Sequence, residues 1–206
     1  MEDDDLGLKE RLVILAFMFC VYYCSAGLEI SFRSYISTFT VSIGHSRQVG
    51  SDITALYYSS FAAVRGISVI AGIYLSPSSI MWTSLSLCLG GTTLLSAFSS
   101  HSFISLQIGV ILMGAGSACT FSTGLLWLKD ILQINNKVGA VLTVSCNISV
   151  QLYCLMIGSV IDEAPMKFMQ LMSITAISLI ILFGLTSLLA AHFRRRISAT
   201  PLITKI

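Results

Sequence analysis

Glu29 and Arg33 are opposite charges inside a long apolar segment, and they are the side chains best placed to do chemistry. A charge at the centre of a membrane helix costs roughly 2.5–3.5 kcal/mol on insertion scales, so a span keeps one where it faces a protein interior or a water-filled cavity. The i,i+4 spacing places both side chains on one helical face, where they can pair. Three roles fit this pair: a structural ion pair between helices, coupling to an ion, or contact with a solute. Our working hypothesis is that this face lines a transport pathway.

Further polar side chains inside the apolar segments are candidates for the same pathway. Tyr58 and Arg65 are seven residues apart and share one helical face. Arg65 comes late in its segment, which favours a place near the cytoplasmic mouth. Asn147 and Gln151 repeat the i,i+4 spacing, and their amides suit either helix–helix hydrogen bonds or a neutral polyhydroxylated solute. Trp127 fits either an interfacial aromatic belt or the pathway itself.

Composition limits the class of protein. The 206 residues are 55% hydrophobic and only 11% charged, against about 25% charged in soluble domains. This excludes an ordinary soluble globule, and a net charge of +2 without a basic face excludes a nucleic-acid binder. The six cysteines lie in apolar segments without C-x-x-C spacing, so we expect packing roles and no metal or disulfide. No hydrolase or metalloprotease motif is present, so we expect neither an enzyme nor an organic cofactor.

The apolar segments that position these residues number six, and each is long enough to cross a bilayer, which takes about 20 residues. They lie at about 12–43, 53–75, 79–98, 103–131, 138–161 and 166–193. Continuous apolar runs favour helices over a β-barrel, whose strands alternate. We therefore predict an all-α membrane protein with a cytoplasmic N-terminal tail at 1–11, a six-helix transmembrane domain at 12–193 and a basic cytoplasmic C-terminal tail at 194–206. The acidic first eleven residues, followed by a long apolar run, do not resemble a cleavable signal peptide.

The distribution of lysine and arginine predicts the orientation. With six spans, both termini lie on one side, which carries eight of these residues: Lys9, Arg11, Lys129, Lys137, Arg194, Arg195, Arg196 and Lys205. The other side carries two, Arg47 and Lys167. Since positive charges concentrate in cytoplasmic loops, both termini are predicted to be cytoplasmic.

Small residues predict where the helices meet. The run Gly114–Ala118 would let another backbone approach closely, and small residues drive the packing of helices within a membrane. The pair Gly90 and Gly91 and the single residues Gly66 and Gly72 suggest further contacts of the same kind.

Four stretches resemble the C-terminal half of the sodium-dependent glucose transporter 1-like group of the major facilitator superfamily. Ala26–Phe32 followed by Ser34–Ile36 is similar to its seventh helix. The runs Phe61–Gly66 with Leu75–Pro77, Gly114–Trp127, and Lys137–Ala140 with Gly158 are similar to the eighth, tenth and eleventh helices.

The resemblance implies helices seven to twelve of a twelve-helix transporter, arranged as two inverted three-helix repeats. It places Glu29, Tyr35, Phe121 and Trp127 at or near a central cavity. It also implies uptake of a hexose, with sodium as a candidate coupling ion and Glu29 as the cation-sensitive carboxylate. Partners would then be the bilayer, the hexose and a second half-transporter or a second copy.

The chain departs from the family pattern at several positions. Arg33 stands where the family tends to have glycine, and Ser122 replaces a proline that would kink the tenth helix. Val150 and Cys154 stand where a glutamate and a later proline are expected. Two other functions remain open: a membrane interaction protein that regulates a full transporter without transporting, and a degenerate transporter fragment.

Overall fold

The computed structural model of this chain describes residues 8–99, 102–132, 136–161 and 164–199. These residues form six α-helices. They are α1 Leu8–Ser42, α2 Arg47–Tyr74, α3 Pro77–Phe98, α4 Phe103–Lys129, α5 Asn136–Gly158 and α6 Pro165–Ala199. All six are long and apolar enough to span a bilayer, which confirms the prediction of an all-α membrane protein with six spans.

Serine caps determine where three of the helices begin. Ser46, Ser76 and Ser102 each accept a hydrogen bond at their hydroxyl oxygen from the amide N–H three residues later, at 3.3–3.4 Å. Pro77 follows its cap at the first helical position, where a missing N–H costs nothing. The cap at Ser46 starts α2 at Arg47, six residues earlier than the apolar run alone predicts.

The first and last helices extend beyond their apolar segments. Both α1 and α6 have 35 residues and are therefore about 50 Å long, against a hydrocarbon core of about 30 Å. Residues 8–11 and 194–199, predicted to belong to the tails, are helical. The rest of the two predicted tails, 1–7 and 200–206, lies outside the described residues.

Helix α4 is at the centre of the packing. It packs closely against α3 and also against α2, while α1 packs against α5, α6 and α2, and α3 packs against α6. In an inverted repeat, α1, α2 and α3 would correspond to α4, α5 and α6. The α1–α5 contact then corresponds to the α4–α2 contact, and the α1–α6 contact corresponds to the α4–α3 contact. An inverted repeat requires this correspondence, although α1–α2 has no equally extensive counterpart between α4 and α5 in the described ranges.

Glycines on α4 allow the close packing that the sequence predicts. A Cβ atom at Gly116 would lie 2.7 Å from the backbone nitrogen of Cys88 and from the carbonyl oxygen of Ser84. One at Gly114 would lie 2.7 Å from the carbonyl oxygen of Tyr57. Both glycines therefore hold α4 against the backbones of α3 and α2.

The prediction that glycines mark helix contacts is wrong for three other glycines. Gly66, Gly72 and Gly90 have no atom within 4 Å of a Cβ built on them. Gly91, next to Gly90, is the packing residue on α3, because its Cβ would lie 2.9 Å from the carbonyl oxygen of Gly109. A pair of glycines in the sequence does not reveal which one faces the neighbouring helix.

We expect Gly116→Ala to destabilise the bundle by about 1–3 kcal/mol, because the added methyl meets backbone atoms that cannot rotate away. The measurement is the thermal unfolding midpoint of the detergent-solubilised protein. Gly90→Ala is the matched control, since it adds the same methyl to open space on α3. Equal unfolding midpoints for the two variants would contradict the packing role of Gly116.

Side chains of α5 form hydrogen bonds with backbone carbonyl oxygens of α1. The hydroxyl of Ser145 donates to the carbonyl oxygen of Phe19 at 2.6 Å, and the hydroxyl of Ser149 donates to that of Tyr23. Between these helices Gly27 leaves room for Tyr153, since a Cβ there would lie 2.7 Å from the ring. We call this contact the α1–α5 seam, and it fixes the rotation of α1 that presents Glu29.

Candidate functional site

One face of α1 turns toward the interior of the bundle. Tyr22 and Ala26 are 2% and 7% exposed, and Ile36 and Thr40 are fully buried. Glu29 and Arg33 lie between them on the same stripe and are half-buried. The two charges therefore face protein and a cavity, as the cost of placing a charge in lipid requires.

A cavity of about 190 Å³ opens beside Glu29. Helices α1, α2, α4 and α5 contribute its walls. It is lined by Ser25, Ala26, Glu29, Ile30, Phe61, Arg65, Ser117, Ala118, Phe121 and Cys146. The volume is smaller than that of drug-sized ligand pockets, which run from about 300 Å³, and suits one small solute.

Glu29 shares this region with two guanidinium groups. The charges of Arg33, one turn along α1, and Arg65, across the cavity on α2, both act on its carboxylate. Neither forms a direct salt bridge with Glu29 in the part of the chain that the structure describes. The i,i+4 spacing thus places Glu29 and Arg33 near each other on α1, but they form no salt bridge. The Glu29 carboxylate remains available to a ligand.

Arg65 lies on the wall of the cavity beside Phe61. Its guanidinium carbon is 5.3 Å from the centre of the Phe61 ring, which is within the range of a cation–π contact. The side chain is exposed and forms no hydrogen bond with any described residue. The sequence predicts Arg65 near the cytoplasmic mouth, and the structure adds that it faces the same cavity as Glu29.

Two tyrosine hydroxyls fasten the helices around the cavity. Tyr22 donates to the carbonyl oxygen of Phe121 at 2.9 Å, and its ring meets that of Phe121 edge-on at 5.1 Å. The Tyr57 and Ser117 hydroxyls are 2.9 Å apart and share a buried hydrogen bond. These contacts join α1 and α2 to α4, and Phe121 is left 39% exposed on the cavity wall.

Two residues that the resemblance places near the pathway do not line this cavity. The Tyr35 hydroxyl donates to the carbonyl oxygen of Cys154 at 2.9 Å, so it extends the α1–α5 seam. Trp127 is 8% exposed and packs edge-on against Phe183 of α6, with ring centroids 5.3 Å apart. Its indole therefore lies between helices, neither on the lipid-facing surface nor on the cavity wall.

Asn147 and Gln151 lie on an exposed face of α5. The Asn147 side-chain amide donates to the carbonyl oxygen of Thr143 in its own helix, at 2.9 Å. Neither amide forms a hydrogen bond to another helix among the described residues. The structure thus brings Glu29, Arg65 and Phe121 together in one cavity and leaves the two amides on an open surface beside it.

Seven of the ten lining residues are not among the site residues that the sequence predicts, and four of these seven have hydroxyl, thiol or aromatic side chains: Ser25, Phe61, Ser117 and Cys146. Ser25 precedes Glu29 by one turn and Phe61 precedes Arg65 by one turn, so helical spacing from the charged residues would have found both. Ser117 was visible only as part of a small-residue run, and Cys146 only as a packing cysteine. The sequence does not predict a place in the cavity for either residue, because nothing in their local sequence distinguishes a residue on a cavity wall from one in a helix contact.

The six spans define an integral, multi-pass membrane protein with charged residues around a small internal cavity. Curated relatives confirm the resemblance seen in the sequence, since they are sodium-dependent glucose transporters. Sodium-dependent glucose transporter 1 of Xenopus laevis is 26% identical over 133 residues, which are 64% of this chain and 27% of that protein. The Homo sapiens protein of the same name is 25% identical over 158 residues, which are 76% of this chain and 30% of that protein.

The match covers only part of these relatives. Sodium-dependent glucose transporter 1A of Mus musculus is 26% identical over 133 residues, which are 64% of this chain and 31% of that protein. The chain therefore spans less than a third of the length of the curated relatives it matches. No protein-family profile matches the chain.

Proposed function

We propose that this chain is half of a major facilitator secondary transporter that moves a hexose-sized polar solute by alternating access. The observation that carries the proposal is the cavity that holds Glu29 and Arg65 between α1, α2, α4 and α5. Intramembrane ionisable residues that face a shared cavity mark solute and ion pathways in transporters. The packing of α1 with α5 and α6 parallels that of α4 with α2 and α3, which supports two inverted repeats.

A second half would complete the site. Apolar side chains on α2 and α5 face outward, including Ile70 and Ile73, 62% and 75% exposed, and Leu155, 72% exposed. A second six-helix unit against these helices, either another chain or a second copy, would enclose the cavity and bring the α5 amides Asn147 and Gln151 to its edge. In this assembly the two halves rock around the enclosed site.

Each predicted residue has a role in this proposal. Phe121 packs against the apolar face of the solute, and Glu29 binds the coupling ion, sodium, as the relatives' names suggest. The positive charges of Arg33 and Arg65 act on the Glu29 carboxylate. Tyr35 and Trp127 act by fixing helix positions, the first through the seam and the second through α6. The process is non-covalent, so no enzyme chemistry or organic cofactor is involved.

Placement in the plasma membrane with both termini cytoplasmic is a further part of the proposal. It rests on the eight against two distribution of lysine and arginine between the two sides. Epitope tags at each terminus should be reached by antibody only after permeabilisation of the cells.

The test is the mass of the detergent-solubilised complex together with hexose uptake by the same preparation in liposomes. A species containing two halves that takes up hexose supports the proposal. A monomer that folds, as its unfolding midpoint shows, but takes up nothing would contradict it and favour the regulatory interaction protein or the degenerate transporter fragment.

A further inference from the structure

The structure describes three charged side chains in the middle of the six helices: Glu29, Arg33 and Arg65. The other described charges lie within about two turns of a helix end: Lys9, Glu10, Arg11, Arg47, Asp52, Lys129, Asp130, Lys137 and Lys167. Glu29 and Arg65 line one cavity, whereas Arg33 lies one helical turn beyond Glu29 on α1 and is not among the lining residues. Both guanidinium groups act on the Glu29 carboxylate. The described lining of the cavity therefore carries one carboxylate and one guanidinium, and these two groups form no salt bridge with each other.

The guanidinium of Arg65 is available to a ligand. It lines the cavity, it is exposed, and none of its N–H donors forms a hydrogen bond within the described ranges. Phe61 contacts it at 5.3 Å through the ring face, an interaction that leaves the donors along the edge of the guanidinium free. A planar fork of this kind matches a carboxylate, which it binds through two parallel hydrogen bonds.

The remaining walls fit the rest of such a solute. Ser25 is on α1, one turn before Glu29, and its hydroxyl has no hydrogen-bond partner among the residues described, so it can bind a solute hydroxyl. Phe121, across the cavity on α4, offers an exposed ring for an apolar sugar face. A neutral hexose would use these groups but would offer Arg65 only uncharged hydroxyl oxygens, which accept weaker hydrogen bonds than a carboxylate does.

We propose that the solute of this site is a polyhydroxylated carboxylate, such as a hexuronate, whose carboxylate is bound by Arg65. This rests on the proposed function and specifies its substrate class. A carboxylate forms charge-assisted hydrogen bonds with the Arg65 guanidinium, and these are stronger than the hydrogen bonds that a neutral sugar hydroxyl can form, so the site prefers the anion to a neutral sugar. Arg65 is then the residue that determines specificity.

The test compares uptake of radiolabelled glucuronate and glucose into membrane vesicles from cells expressing the full chain, with vector-only vesicles as the blank and constant sodium. We expect half-maximal uptake at a concentration at least tenfold lower for glucuronate than for glucose. Arg65→Gln should raise this concentration at least tenfold for glucuronate and less than twofold for glucose. Arg47→Gln, an exposed arginine at the first residue of the same helix, should change neither.

Each outcome decides between the two proposals. Uptake of glucose without preference for glucuronate, or an equal effect of Arg65→Gln on both solutes, would overturn the carboxylate site and leave the proposed function intact. Absence of both activities from vesicles that contain folded protein would overturn both. If Arg65→Gln does not reach the membrane, the wild-type preference and Arg65→Lys, which keeps the charge but loses the fork, decide the question.

Discussion

Glu29→Gln should lower sodium-driven solute uptake more than tenfold while the protein still reaches the membrane. Among the described residues that line the cavity, Glu29 alone carries a carboxylate, and the amide has nearly the same shape but no charge to attract a cation. The neutral amide also costs less to place within the membrane than the charged carboxylate does, so we expect insertion to be retained. The measurement is the initial rate of uptake with sodium and with choline, normalised to the amount of protein at the cell surface.

The matched control is Asp52→Asn. Asp52 is an exposed carboxylate in the first two turns of α2, where it accepts a hydrogen bond from Gln48 at 3.2 Å. Its conversion to the amide should leave uptake and the sodium response unchanged. An unchanged uptake rate in Glu29→Gln would remove this carboxylate from the mechanism.

Arg33→Gln should raise the apparent affinity for sodium about tenfold. A guanidinium one helical turn from Glu29 repels a cation at that carboxylate by about 2–3 kcal/mol at an effective dielectric constant of ~20 and a separation of about 6–8 Å. Water in the cavity screens part of this, which leaves an effect of about tenfold. The measurement is the sodium concentration that gives half-maximal uptake.

The charge-swapped double variant separates this role from a structural one. In Glu29→Arg with Arg33→Glu, a plain ion pair is conserved, so recovery of both folding and uptake would favour the structural pair and contradict the cation-binding role. We expect this protein to fold but to transport poorly, because the carboxylate moves one turn away from Ser25 and out of reach of the cavity wall. Surface amount and uptake rate are measured on the same cells.

The sequence predicted the six spans and the inward face of α1, since both depend on local properties: the length of an apolar run and the cost of a charge in lipid. It could not predict which neighbours meet that face. Arg65 joins Glu29 because α2 and α4 pack together at Tyr57 and Ser117, a contact between residues 60 positions apart. Trp127 is buried for the same kind of reason, since Phe183 of α6 covers it.

The α1–α5 seam has a consequence for how this sequence can change over evolutionary time. Its serine hydroxyls, at Ser145 and Ser149, are bound to carbonyl oxygens of α1 and not to side chains. The residues that supply those oxygens, Phe19 and Tyr23, can therefore be exchanged without breaking either bond, whereas loss of either serine removes one. Relatives should accordingly vary more freely at positions 19 and 23 than at positions 145 and 149. Gly27 and Tyr35 should be retained on α1, because the first has no room for a Cβ atom and the second supplies the hydroxyl bound to the Cys154 carbonyl oxygen. The register of the two helices should then persist after most of their other side chains have diverged.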